Sequence, residues 1–485
     1  MAFGTIESLF LLGTALIFFV LIGIRQNALT SSDDDFWFAQ RAVTSKSISS
    51  TWSASSLSLG LTILYYMAMT SIFGWTIFII SIFTYMLGQI VFLILALKWK
   101  RNNPEEIGTI SSILSKSTSP DLLIVLAQIS GLFGLMAMLY AEIYFGSLIV
   151  QSLVGKDLGP VYSTALFIAS LTVVAAYVTF GGMRAIVASD RWQMYLVYIA
   201  ISVLVFLAVL TYMSDHKIDF HNTLPWFDPD IKKVDTASYI LFGISANILP
   251  LLCQNSLWQM SSSATESDLK RGATGGIIRT FVVFTIVIFV AFVLNGASSG
   301  EGGVSADTII NLARAQGPFG EQFLLPLLFV GLIAAMISTA DNLLMGSALT
   351  VRELLKPMNL LLSEPKLRFV IIFGIALLQI AAYSFFTLLL NKDFQSYFIN
   401  MVFFLFSQSA PFGVVMLLAL VSPRRLRSAP WLVTGVALGW CLDFSAFVYA
   451  VSAGIPKVQF FATPLAVLAT FLLAFKVKTN DISDV

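Results

Sequence analysis

The stretch Gly331-Leu-Ile-Ala-Ala-Met-Ile-Ser-Thr-Ala-Asp-Asn342 sits inside a longer apolar run, 322–350. Such a run is long enough to cross a bilayer as a helix, which takes about 20 mostly apolar residues. Yet Ser338, Thr339, Asp341 and Asn342 fall within two turns of it. Polar and ionisable groups are costly in hydrocarbon unless they face protein or a water-filled cavity, and a carboxylate there marks an ion or solute path by default. The hydroxyls of Ser338 and Thr339 are oxygen donors suited to a small hard cation. The local alternative is that both hydroxyls bond back to the preceding turn or pack a neighbouring helix. That accounts for Ser338 and Thr339 and leaves Asp341 unexplained.

The rest of the chain agrees with a bilayer setting. Of 485 residues, 57% are hydrophobic and 11% charged, where a soluble domain carries about 25% charged residues. A net charge of +1 points to no nucleic-acid partner. Cys253 and Cys441 both lie in apolar runs, so no disulfide framework is expected. The segment Ile6–Ile24 lacks a basic flank and a small-residue cleavage pattern and reads as a retained first span. Apolar runs predict about 13 transmembrane helices, at 5–24, 49–73, 75–97, 121–150, 160–180, 191–213, 238–258, 273–296, 322–350, 368–390, 397–421, 430–452 and 459–475. With the N-terminus outside, 21 of the 28 Lys and Arg fall in inward segments and 7 in outward ones. That bias predicts an outside N-terminus and a cytoplasmic C-terminus. The outer loops near 214–237 and 297–321 read as turns, and no soluble domain is expected between spans.

Two spans are poor anchors. The second opens Ser49-Ser-Thr-Trp-Ser-Ala-Ser-Ser-Leu-Ser-Leu-Gly60; the seventh contains Ser245-Ala-Asn-Ile-Leu-Pro250 and Cys253-Gln-Asn255. Pro250 removes a backbone hydrogen bond, and Asn247 and Gln254 are candidates to cover the freed groups. Interrupted helices at matching places in two inverted halves mark the binding site of many secondary transporters. The structural alternative is close packing through small residues.

Four segments then carry a family resemblance: Asp35-Phe-Trp-Phe-Ala-Gln-Arg41, Gly181-Gly-Met-Arg-Ala-Ile-Val-Ala-Ser-Asp190, Trp258-Gln259 with Lys270-Arg271 downstream, and Ala334-Ala-Met-Ile-Ser-Thr-Ala-Asp341. In that order, over about 35–425, the chain resembles the sodium:solute symporter family. The resemblance implies an all-α integral membrane protein with a five-plus-five inverted repeat, shared with neurotransmitter:sodium symporters, and a broken first helix in each repeat. The division is then an extra helix and inner loop (1–48), a first repeat (49–213), an outer loop (214–237), a second repeat (238–421) and two final helices with a short tail (422–485). Carried over residue by residue, the family's sodium site falls on the Ser56, Leu59 and Ala335 carbonyls and the Ser338 and Thr339 hydroxyls. Asp190, Asp341 and Asn342 are candidates for a second cation site, with an Asp190 ion pair to Arg184 or Arg191 as the alternative. Departures from the family pattern are Met260 after Gln259, which predicts a missing inner salt bridge, and Cys253 and Phe403 at amide positions of sugar-transporting relatives, which disfavour a hexose.

Candidate solute contacts are Tyr140, Glu142, Asn247, Gln254, Asn400 and Gln408, with Glu142 placed near a hydrated outer mouth and Asp443 read as structural. The expectation is a plasma-membrane symporter coupling Na+ to a small polar organic solute, without organic cofactor or obligate protein partner and in contact with the lipid bilayer. Proton coupling through Asp341 and a transporter-like nutrient sensor are the alternatives. A membrane enzyme is disfavoured by the scarcity of acid–base pairs in the spans.

Overall fold

The computed structural model describes residues 5–58, 75–117, 120–154, 159–214, 236–297, 306–358, 363–389, 404–405, 407–453, 455 and 458–475. In chain order its helices are α1 (Thr5–Asn27), α2 (Asp33–Phe38), α3 (Ser45–Ser56), α4 (Trp75–Asn102), α5 (Ile110–Lys116), α6 (Asp121–Val154), α7 (Gly159–Ser214), α8 (Thr236–Ile248), α9 (Asn255–Ser262), α10 (Glu266–Ala297), α11 (Ala306–Arg314), α12 (Leu325–Leu355), α13 (Glu364–Leu389), α14 (Ala410–Val421), α15 (Ala429–Ala453) and α16 (Val458–Ala474). The described residues are otherwise turns and short 3-10 or π segments, with one isolated β-bridge between Leu426 and Phe475. This is an all-α membrane protein: among the described residues seven helices are long and apolar enough to cross a bilayer, and a bent pair makes an eighth.

The expected spans 75–97, 121–150, 273–296, 322–350, 368–390 and 430–452 each coincide with one such helix. Spans 160–180 and 191–213 are the two limbs of α7, which kinks at Gly182 (φ 53°, ψ −145°). Only glycine adopts that backbone at little cost. A Cβ at Gly182 would also stand 2.4 Å from the Phe36 carbonyl, so the Gly181-Gly182 motif seats α2 against the kink. The loop 297–321 departs from the expectation of turns, because 306–314 forms the amphipathic helix α11.

α12, which carries the opening stretch, is the central element. Its membrane window is 78% buried, against 33% for α13 and α15. It packs on α6 and α7, with α3 and α9 also against it. A helix so enclosed can hold polar side chains without exposing them to lipid.

Both expected helix interruptions occur. α3 stops at Ser56, and its cap Leu57 has left the helical region (φ −101°, ψ 60°). In the seventh span, α8 gives way to a 3-10 turn over Pro250–Cys253, then Gln254 is extended and α9 continues at a 58° bend. Asn247 and Gln254 do not cover the freed backbone. Asn247 donates to Thr84 Oγ1 (2.9 Å) and Gln254 reaches Met138 Sδ (3.9 Å). Instead, the Trp258 indole donates to the Leu252 carbonyl at 2.9 Å. At Gly131 of α6 a Cβ would lie 2.2 Å from the Cys253 carbonyl, so only glycine lets α6 approach the bend.

Candidate functional site

The end of α3 meets the middle of α12. Ser338 Oγ and Thr339 Oγ1 each lie 3.4 Å from the Ala54 carbonyl, and Ser338 Oγ lies 2.9 Å from the Ala335 carbonyl. All four residues are buried. The 3.4 Å separations are long for hydroxyl hydrogen bonds, which centre on about 2.7–2.8 Å. They match the spacing of oxygens sharing a cation: ligands at about 2.4 Å, the range for a Ca2+-sized ion, stand about 3.4 Å apart when at right angles. Na+ has nearly that radius.

The backbone oxygen facing the hydroxyls is Ala54's, two residues before the expected Ser56. The Ser56 hydroxyl bonds back to the Trp52 carbonyl at 2.8 Å. The run of small residues gives sequence alignment no landmark, whereas the helix end at Leu57 sets the register in three dimensions. Leu59 lies outside the described residues, as do Asn400 and Phe403.

A second polar cluster adjoins this one. Tyr177 on the first limb of α7 donates to Asp341 Oδ2. Asn342 Nδ2 donates to Asp341 Oδ1 (3.0 Å) and to the Ser338 carbonyl (2.8 Å). Asp190, on the second limb, is fully buried, and neither of its oxygens has a hydrogen-bond partner among the described residues. Thr51 and Asn342 are the polar side chains beside it. Gln193, one turn on, is likewise buried with both amide atoms unpartnered. The expected ion pair of Asp190 with Arg184 or Arg191 is not made: Arg184 pairs with Asp35, and Arg191 donates to the Ser47 hydroxyl.

Next to these oxygens lies a small cavity of about 50 Å³, walled by Ser55 and Ser56 of α3, Gln89 of α4, Asn247 and Gln254 at the bend, and Thr339 and Asn342 of α12. Its other walls are Tyr85, Met138, Ser256 and apolar side chains, and among the described residues no lining side chain is charged. Gln89 Oε1 is buried without a partner among the described residues.

The remaining predicted contacts lie elsewhere. Tyr140 joins an aromatic cluster with Tyr144, Phe167 and Tyr383. Glu142 is fully buried rather than hydrated and accepts from the Ser58 hydroxyl, just past the end of α3. Gln408 exchanges two hydrogen bonds with Ser130, at 2.8 and 3.0 Å, away from the cavity. Asp443 accepts from Ser407 and Thr463 (2.6 and 2.5 Å), cross-linking the final helices.

Sequence reading missed Ala54, Thr51, Tyr177, Gln193 and Gln89. Gln193 was within reach, being one helical turn from Asp190. Tyr177 was not, because only the kink at Gly182 turns both limbs of α7 toward α12.

The face that holds α2 is closed by charge. Asp33 pairs with Arg352 at the end of α12 and Arg368 at the start of α13, and Asp35 pairs with Arg184. Arg352 lies over the Trp37 ring (5.3 Å) and Arg368 over Phe36 (4.2 Å). Gln259 Nε2 donates to the Trp37 carbonyl at 2.7 Å. Met260, at the position where an inner salt bridge was expected to be missing, is buried and makes no ion pair, while Asp33 and Asp35 pair nearby on α2.

No protein-family model and no curated protein matches this sequence. Its structure does match solved ones. Over 96% of both chains it superposes on a Na+-coupled sialic acid symporter in a substrate-bound outward-open state, at a TM-score of 0.77 and 14% identity. The chain shares that transporter fold. MhsT in complex with L-phenylalanine aligns over 90% of this chain and 99% of its own (TM-score 0.60, 16% identity). A mutant manganese transporter of Eremococcus coleocola aligns over 91% of this chain and 95% of its own (TM-score 0.52, 13% identity).

Proposed function

We propose that this protein is a secondary transporter that couples inward movement of Na+ to a small polar solute by alternating access. The observation that carries the reading is the position of Thr339, whose hydroxyl faces the Ala54 carbonyl while its side chain also lines the cavity. Ion and solute would share one wall, so occupancy by either alters the other's surroundings. Sodium between α3 and α12 would order the end of the broken helix, the solute would bind beside it, and the two repeats, 49–213 and 238–421, would rock about the shared site. With the register shifted by two residues to Ala54, the second backbone ligand would be the Leu57 carbonyl, where α3 ends.

Neutral oxygens supply this ion site, which favours a monovalent hard cation over a transition metal. The uncharged cavity lining favours a solute that is neutral or zwitterionic, with amide or hydroxyl groups to meet Gln89, Asn247 and Gln254. Asp190, with Asp341 and Asn342, is assigned to a second cation. The same orphaned carboxylate supports a second reading in which a proton is the coupling ion. The bias of basic residues supports an outside N-terminus in the plasma membrane.

The test is uptake into liposomes by purified protein, after a thermal-shift screen of amino acids, carboxylates, sugars, urea and vitamins with and without sodium. Ser338→Ala and Thr339→Ala are each expected to raise half-saturating sodium at least tenfold, about 1.4 kcal/mol, with membrane insertion intact. An unchanged sodium dependence in both variants rules the site out.

A further inference from the structure

A cavity of about 510 Å³ lies outside the site described above, between α6, α14 and α15. Its walls are apolar side chains such as Leu126, Phe133, Phe412, Val436 and Trp440. Its polar lining groups, Ser130 and Gln408, are closed on each other by the two hydrogen bonds already described. The chemistry therefore suits hydrocarbon. From Leu123 to Phe133 the groove follows eleven residues of α6, whose Cα atoms span about 15 Å of helix. That is the depth of one leaflet of a hydrocarbon core about 30 Å thick.

The connection from α14 to α15, which both wall the groove, is strongly basic. Lys98 Nζ lies 3.4 Å from the carbonyl of Val421, the last residue of α14, and Arg424 and Arg425 follow in the exposed turn Pro423–Arg425. Arg427 Nε donates to the Phe475 carbonyl at 3.0 Å. None of these four cations makes an ion pair among the described residues. Asp121, exposed at the start of α6, is the carboxylate on that edge. Trp431, 49% exposed at the start of α15 with Arg427 5.3 Å from its ring, stands where interfacial tryptophans anchor a helix.

We propose that this groove is a binding site for one anionic phospholipid. An acyl chain lies along α6 and α15, and the phosphate rests on Lys98, Arg424 and Arg425. Clustered basic residues between helices at a membrane face recognise such headgroups. The site would also touch transport, because α14 packs on the 3-10 turn at the bend and its preceding Ser409 carbonyl lies 3.7 Å from Cys253 Sγ. The inference depends on membrane insertion alone and not on the coupling ion.

The experiment is native mass spectrometry of the full chain in detergent, titrated with palmitoyl-oleoyl phosphatidylglycerol or with phosphatidylcholine of the same chains. The wild type is expected to bind the anionic lipid at least tenfold more tightly. The triple variant Lys98→Gln/Arg424→Gln/Arg425→Gln should lose that preference and keep its melting temperature. Ala437→Trp, which fills the groove from α15, should weaken both lipids. Alkylation of Cys441, exposed in the groove while Cys253 is buried, should be slowed by phosphatidylglycerol and not by glycerophosphoglycerol, which has the headgroup without chains. Equal binding of the two lipids by the wild type, a preference that survives the triple variant, or equal protection by the chainless headgroup would overturn the assignment.

Discussion

A single side chain does most to distinguish this site from ordinary helix packing. Asp190 is a carboxylate whose oxygens make no hydrogen bond of good geometry among the described residues, although Thr51 and Asn342 stand beside it. A buried polar group without a partner is rare in native proteins and calls for an explanation such as a bound ion or water. Asp190→Asn is therefore expected to raise the melting temperature in sodium-free buffer and to shrink the sodium-induced rise. A sodium shift of wild-type size in this variant would show that Asp190 takes no part in cation binding. Strain of another kind sits beside α2. Ala39, Gln40 and Arg41 are all left-handed, at φ 49°, 53° and 57°, where each non-glycine residue costs about 1–2 kcal/mol. Gln40 Nε2 to the Ser31 hydroxyl (2.8 Å) and Arg41 to the Glu105 carbonyl (2.8 Å) hold the turn. Ala39→Gly should stabilise the protein by about 1 kcal/mol; a melting temperature that does not rise would mean the turn stores no strain.

Among the elements, the short helix α2 ties three long helices together. Its start is well specified, since the Ser32 side chain accepts from the Asp35 amide and three aspartates occupy the first turn, both favourable at a helix N-terminus. Two of them, Asp33 and Asp35, then clamp α12, α13 and the kink of α7 together. Removing one partner of such a cluster leaves the other charges in place and unpaired, which costs more than the pair contributes. Asp33→Asn leaves Arg368 without an acidic partner among the described residues and Arg352 with only its longer contacts to Glu353 and Glu364 (3.7 and 3.8 Å). The expected result is faster hydrogen exchange over 33–58 and a several-fold loss of solute uptake at unchanged expression. Exchange at the wild-type rate would make the clamp ornamental. The interrupted helices depend on their neighbours just as strongly, because the bend at Pro250 exists in a space that Gly131 leaves open.

For the molecule as a whole the question is whether one sodium can drive the work. A charge crossing 100 mV releases about 2.3 kcal/mol, and a tenfold gradient adds about 1.4. Together these sustain roughly 500-fold accumulation of a neutral solute at one-to-one coupling. Proteoliposomes held at that voltage and gradient should approach this limit and collapse with sodium ionophore; accumulation that tracks pH and ignores sodium would assign the work to a proton. The residue types that decide this were legible in the chain. Hydropathy alone marked the bilayer helices, because a span must be about 20 apolar residues long whatever it packs against. A carboxylate and two hydroxyls in such a run announced a polar interior, and Pro250 announced a break. Which oxygens face one another was not legible. Which carbonyl of the Ser-Ala run faces Ser338 depends on where α3 ends, and Ala54 differs from its neighbours in nothing that composition records. Tyr177 and Asp190 reach α12 only because α7 folds at Gly182, and Gln408 bonds Ser130 instead of lining the cavity because the turn before α14 lies against α6. Local sequence determined which segments enter the membrane, since transfer free energy is a property of each segment. Tertiary structure alone decided which oxygens meet, since that is set by distances between segments far apart in the chain.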